Sequence, residues 1–119
     1  MKNNPLKEKS FDFAIRIVNL YRFLITEKKE YVMSKQLLKS GTAVGALARE
    51  AEHAESKADF IHKLSIAQKE CNESLFWLEL LERTEYITTE QFNSIFDDAV
   101  EIMKLTTSII ITTKNNLKK

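Results

Sequence analysis

The sequence predicts an all-α fold, an antiparallel up-down-up-down four-helix bundle, and three observations carry that prediction. Apolar residues recur at helical spacing through four long segments. Only two glycines and one proline punctuate 119 residues, too few for the turns that a sheet-rich fold needs. The joints between the segments are short and polar, which makes consecutive helices antiparallel neighbours. The length accommodates a single domain over residues 1–119, with helices at about 10–27, 32–54, 57–83 and 89–114. With 44% hydrophobic and 29% charged residues, a chain of this size buries a core without a disulfide or metal staple.

Ser10 reads as the N-cap of the first helix. Two apolar stripes follow it: Phe11, Ala14, Val18, Tyr21 and Ile25, and beside them Phe13, Ile17, Leu20 and Leu24. Together they span roughly 220°, whereas a surface helix uses an apolar arc only somewhat over 100° wide. Asp12, Arg16, Asn19 and Thr26 keep a narrow polar strip. The first helix therefore carries more apolar surface than one bundle core takes up. Residues 27–30 make the first joint. In the second helix Ser40, Gly41, Ala43, Gly45, Ala46, Ala48, Ala51 and Ala54 are all small, and Leu37, Gly41, Val44, Ala48 and Ala51 share one face. Each internal glycine costs about 1 kcal/mol against alanine. That cost is met where a neighbouring backbone comes close, so Gly41, Gly45 and Ala48 are candidates for close helix packing. A break at Ser40-Gly41-Thr42 is the alternative.

Ser56 opens the third helix with Asp59 as its capping-box partner. Phe60, Leu64, Ala67, Cys71, Ser74, Leu78 and Leu81 form its stripe, widened by Phe76, Trp77 and Leu80. Residues 84–86 make the last joint, and Thr88 with Gln91 fits a second capping box. In the fourth helix Phe92, Ile95, Phe96, Ala99, Ile102, Met103, Thr106, Ile109, Ile110 and Thr113 keep the helical period. That register outweighs the strand propensity of the β-branched run at 106–113. The Asn3-Asn4-Pro5 start and residues 114–119 are expected to fray.

Composition also bounds function. The net charge is +1, from 18 basic and 17 acidic side chains, without the basic excess typical of phosphate-driven nucleic-acid binding. Lys35, Lys39, Arg49, Lys57, Lys63 and Lys69 nevertheless fall on helices two and three, as candidate contacts to nucleic acid or to another subunit. Glu50, Glu52, Glu55, Glu70 and Glu73 interleave with them, the pattern of a solvated face laced with ion pairs. Arg49 stands beside the small residues, where a planar guanidinium suits a phosphate or a partner's carboxylate. The single Cys71 excludes an intramolecular disulfide and a cysteine zinc site, and its place on an apolar stripe reads as inert. Glu50-x-x-His53 and Asp59-x-x-His62 match the spacing of di-iron bundle ligands. They flank a joint at the end of the bundle, however, and Asp59 is claimed by a cap, so no metal or cofactor is predicted. No catalytic triad order, Gly-rich phosphate loop or His-Glu-x-x-His motif occurs, and neither a catalytic residue nor a small-molecule substrate is predicted. Without a signal peptide or membrane-spanning run, the expected compartment is the cytoplasm.

The run Ser40-Gly41-Thr42, Gly45-Ala46, Arg49-Glu50-Ala51, then Ser56-Lys57-Ala58-Asp59-Phe60, Lys63-Leu64, Ile66-Ala67, Lys69-Glu70, Glu73 and Trp77-Leu78 resembles the bacterial four-helix-bundle family encoded in intervening sequences of 23S ribosomal RNA genes. Phe11-Asp12 before an aliphatic helix and the stretch 105–110 are similar to the same family, so the likeness covers nearly the whole chain. Leu47 stands where relatives usually carry asparagine, Ala48 replaces a larger aliphatic residue, and Phe76 stands where tyrosine is common. The resemblance implies a bundle that assembles as a ring, commonly a pentamer, with no enzymatic activity and no cofactor. The function expected on that basis is a non-enzymatic structural or interaction module whose first partner is itself. A distant basic branch of the family serves as an accessory factor to the reverse transcriptase of diversity-generating retroelements and contacts nucleic acid. The alternative expectation is thus an accessory protein that binds structured RNA or DNA through a basic face of the oligomer.

Overall fold

A proline in the first turn of a helix lacks only an N–H that would have no partner there, and its fixed φ suits helical geometry. Pro5 takes that position, and the Asn4 side chain caps the helix by accepting a hydrogen bond from the Lys7 amide at 3.0 Å. The computed structural model describes residues 4–117. Its four helices are α1 (Pro5–Thr26), α2 (Met33–Ala51), α3 (Lys57–Arg83) and α4 (Thr89–Leu117). The first begins at Pro5 rather than at Ser10, because the Asn-Pro pair is a complete start signal and Asn4-Pro5 is ordered by it. Ser10 is buried inside α1 and its hydroxyl donates to the Lys7 carbonyl at 3.2 Å. Asn3 and residues 118–119, expected to fray, lie outside the described residues, while α4 continues to Leu117. The helix α2 runs unbroken through Ser40-Gly41-Thr42, and no strand occurs among the described residues.

Each joint is closed by named groups. Val32 offers α2 no side-chain cap, and the buried Glu30 carboxylate takes that role. It accepts from the amides of Val32 at 3.1 Å, Met33 at 3.0 Å and Ser34 at 2.7 Å, and the Ser34 hydroxyl donates to the Glu30 carbonyl at 2.8 Å. A carboxylate over the free amides of a helix start is favoured by both hydrogen bonding and the helix dipole. At α3, the Asp59 amide donates to the Ser56 hydroxyl at 3.0 Å, while the Asp59 carboxylate reaches the Glu55 amide at 3.2 Å, one residue before the usual capping-box donor. The C-terminus of α3 ends in a Schellman motif, with Glu85 bonded to the Glu82 carbonyl at 3.1 Å and Tyr86 to that of Leu81 at 2.9 Å. Glu85 holds the left-handed conformation there at φ 69°, a place usually given to glycine. Thr88 and Gln91 exchange both bonds of a capping box, at 2.8 and 3.0 Å.

The helices pack in cyclic order, α1 against α2 and α4, α3 against α2 and α4, and among the described residues the backbones of diagonal helices do not approach closely. Cross-helix pairs fix their directions. Lys7 meets Glu52 while Gly45 lies near Ser10 and Gly41 near Ile17, so α2 descends where α1 ascends. Ser40 pairs with Ser74 and Glu50 with Lys63, reversing direction again into α3. Gln68 bonds Thr107 and Cys71 bonds Ala99, which sets α4 against α3, and Lys9 with Glu101 and Arg16 with Asp98 close the bundle. The core is mainly aliphatic around one buried ring, built on Phe13, Ile17 and Leu24, Leu37 and Val44, Leu64, Leu78 and Leu81, and Ile95 and Ile102.

The buried Glu30 cap gives a direct test. Glu30→Ala leaves the buried Ser34 amide without its acceptor, at a cost of about 1–3 kcal/mol. Urea denaturation should show the midpoint falling with the slope unchanged.

Candidate interaction site on the α2 face

Small side chains on the outward face of α2 lower that surface relative to its neighbours. Thr42, Gly45 and Ala46 floor a groove of about 890 Å³. Lys7, Phe11 and Ala14 of α1 wall one side, Asp59 and Lys63 of α3 the other, and Arg49, Glu50, His53 and Glu55 line it toward the α2–α3 joint. The α1 wall stands close because α2 offers glycines toward it. A Cβ at position 45 would sit 3.1 Å from the Ser10 carbonyl oxygen, and one at position 41 would sit 2.7 Å from Ile17 Cγ1. Ala48, one turn on, is buried in the core.

Both lysines of the groove are paired with carboxylates. Lys63 Nζ lies 3.3 Å from Glu50 Oε1 and Lys7 Nζ 3.2 Å from Glu52 Oε1, while Asn4 Nδ2 donates to Glu52 Oε2 at 3.1 Å. The hydrogen bond from Lys7 holds the Glu52 carboxyl below the usual carboxylate range. Arg49 differs. Its guanidinium carbon lies 5.5 Å from the centre of the Phe11 ring, and no carboxylate of the described residues is within ion-pair distance. A cation over an exposed aromatic face gains about 0.5–1 kcal/mol and is held in place without being neutralised.

Of the cations singled out from sequence, the groove brings together Arg49 and Lys63. Lys35 and Lys39 are exposed on α2 outside it, Lys57 is exposed at the start of α3, and Lys69 is exposed further along α3. His53 lines the groove, whereas His62 is exposed outside it. Among the described residues, no three His, Cys, Asp or Glu side chains stand close enough to hold one metal ion. Lys7 was missed in the sequence because it precedes the expected start of α1; the Asn4-Pro5 pair was the signal that would have placed it on the helix.

Apolar surface remains uncovered on both α1 and α3. On α1, Phe13, Ile17 and Leu24 are buried, but Phe11 is 51% and Ile15 47% exposed, with Ala14, Val18, Tyr21 and Ile25 half-buried. On α3, Phe76 is 55% exposed and packs edge-on against Trp77 at 4.9 Å between ring centres. Trp77 Nε1 donates to the Glu73 carboxylate at 3.0 Å. Phe76, Glu79 and Arg83 border a shallower depression between α3 and α4, with Leu75, Leu80 and Phe96 behind them. No described helix is long and apolar enough to cross a membrane.

Cys71 is fully buried, its thiol donates to the Ala99 carbonyl at 3.4 Å, and burial pushes it up to about 11. A thiol in that state is a poor nucleophile. Alkylation by iodoacetamide near neutral pH should therefore be slow in the native protein and fast in denaturant. Because the unfolded chain releases this proton first, stability should fall as pH rises from the ordinary thiol range towards 11.

The comparisons with known proteins agree with this architecture. A solved crystal structure from Bacteroides thetaiotaomicron, described as a protein with unknown function from the S23 ribosomal protein family, is 65% identical. It superposes with a TM-score of 0.88, covering 88% of this chain and 97% of its own. No curated protein matches the chain. The family model described as 23S rRNA-intervening sequence protein matches residues 2–108. The chain belongs to the 23S rRNA-intervening sequence protein family.

Proposed function

We propose that this protein catalyses no reaction and acts in the cytoplasm as a homo-oligomeric helical module, a ring of five copies that offers its surface to other macromolecules. The observation that carries this reading is the apolar arc of α1. The four-helix core takes the Phe13, Ile17 and Leu24 side of that helix and leaves Phe11 and Ile15 half in water. Exposed apolar residues beside a groove are the signature of a surface that is covered in the working assembly. The inert setting of Cys71 adds support, since it removes the chain's one thiol as a nucleophile. The ring and its number follow the resemblance to the family.

A nucleic-acid role is the less favoured reading. Lys7 and Lys63 of the groove are engaged by the carboxylates of Glu52 and Glu50, and the remaining candidate lysines are dispersed over α2 and α3. Phosphate binding draws on clustered, unpaired cations.

Light scattering coupled to size exclusion, at low and at moderate salt, tests the proposal. The expected mass is near five protomers at both salts, with no salt-dependent retention of RNA. A monomer at all accessible concentrations contradicts the proposal, and RNA binding that weakens steeply with salt favours the second reading.

A further inference from the structure

The self-association proposed above, on which this inference rests, leaves open which faces meet. Rotation about an axis along the bundle leaves the direction of every helix unchanged from copy to copy, so surfaces that meet in such a ring lie at the same level. A ring of five also needs about 108° between the two contact directions of each copy. Diagonal helices face outward about 180° apart and would build straight rows. Helices at adjacent corners face outward about 90° apart, which is closer to closure, and they run antiparallel.

The helices α1 and α4 form such a pair, and their level within the chain is fixed by Lys9 with Glu101 and by Arg16 with Asp98 and Ser94. On that register Glu8 is level with Lys104, Ile15 with Asp97, Asn19 with Asn93 and Arg22 with Glu90. These side chains are all exposed. Opposite charges therefore coincide at both ends of the two outward stripes, about 21 Å apart. Among the described residues, none of Glu8, Lys104, Arg22 and Glu90 has an opposite charge within ion-pair distance. Between the ends, the half-buried Val100 is level with Asp12 and lies beside Phe11 and Ile15, the apolar side chains that the α1 core face leaves in water. Lys104 is one turn from Asp12, and the Asn19 amide is one turn from Asp97, so neither remaining carboxylate meets only its own sign. The other adjacent pairs fit less well. On their own registers, α1 against α2 sets Arg22 level with Lys35, and α3 against α4 sets Lys69 level with Lys104. The α2–α3 pair matches one end only, Lys35 with Glu79.

The geometry points to a contact between copies of this chain in which the outward stripe of α1 of one copy packs antiparallel on that of α4 of the next. Glu8 meets Lys104, Arg22 meets Glu90, and Val100 covers Ile15 and the edge of Phe11. The contact joins two different patches, every copy carries both, and heterologous contacts of this kind build rings when the rotation closes. The α1–α4 side, already ion-paired through Lys9 and Arg16, then faces the ring axis, and the α2 groove stays on the outside.

Charge reversal and cross-linking on the full chain test it. Arg22→Glu, Glu90→Arg and the variant carrying both are compared by light scattering over a dilution series, each with a thermal melt to show that the fold persists. Each single reversal should raise the concentration of half-assembly by about tenfold or more, and the double variant should return it close to wild type. In a second variant, Asn19→Cys is combined with Asn93→Cys. The new thiols face outward on separate helices and meet only between copies, while the buried Cys71 stays out of reach. Mild oxidation should then give a covalent ladder that ends at five protomers on a non-reducing gel, and either substitution alone should give no ladder. Single reversals that keep the wild-type mass, a double reversal that stays dissociated, or an assembly that yields no ladder each overturn this contact while leaving self-association standing. A monomeric wild type overturns the self-association reading itself.

Discussion

The close approach of α1 and α2 is the constraint on which the rest of the molecule depends. Two glycines in the middle of α2 give up about 1 kcal/mol each of helix propensity, and what they gain is room. Gly41 receives the buried Ile17 side chain, and Gly45 lies against the Ser10 carbonyl, where any side chain would press on backbone. With α2 drawn against α1, its outward face sits low between the flanking helices, and the groove over Thr42, Gly45 and Ala46 is the consequence. The same packing turns one half of the α1 apolar arc into the core and leaves the other half, with Phe11 and Ile15, at the surface. Packing and surface chemistry therefore have one origin here.

A few buried polar contacts then fix which residues face each other. The Ser40 and Ser74 hydroxyls meet at 2.9 Å within the α2–α3 interface, and Ser74 also reaches the Glu70 carbonyl at 2.9 Å. A slip of either helix would leave these groups buried without partners, which is costlier than the bonds are favourable. Glu30 acts similarly at the opposite end, where its carboxylate holds three amides and so sets where α2 begins. Aliphatic packing alone tolerates several registers; these contacts select one.

Much of the fold was legible in the sequence because the signals were local. The Thr88–Gln91 box, the Ser56 cap and the long periodic stripes of α3 and α4 each lie within a few residues of what they determine. The α1 start was not read at Pro5 because Ser10 offered a plausible cap immediately before the first large apolar residue. Glu30 was not legible as a cap, since it sits in a joint of four charged residues and acts on amides two to four positions ahead. The Schellman end of α3 was hidden because Glu85 occupies a position where glycine would have announced it. The groove needed three helices and a joint to be brought together, which periodicity within one helix does not show. Arg49 was legible as a planar cation beside small residues, but its seat on Phe11 depends on the register of α1 against α2.

The most direct test is the stability of Gly41→Ala alone and in an Ile17→Ala background. An alanine in an ordinary helical site would stabilise by about 1 kcal/mol. Here the added methyl would meet Ile17 Cγ1 at 2.7 Å, and overpacking of a filled core predicts a net loss of about 1–3 kcal/mol, a loss that disappears when Gly41→Ala is made in an Ile17→Ala background, where both Cγ atoms are gone. A Gly41→Ala protein as stable as the wild type or more so, with no coupling to position 17, would contradict the account.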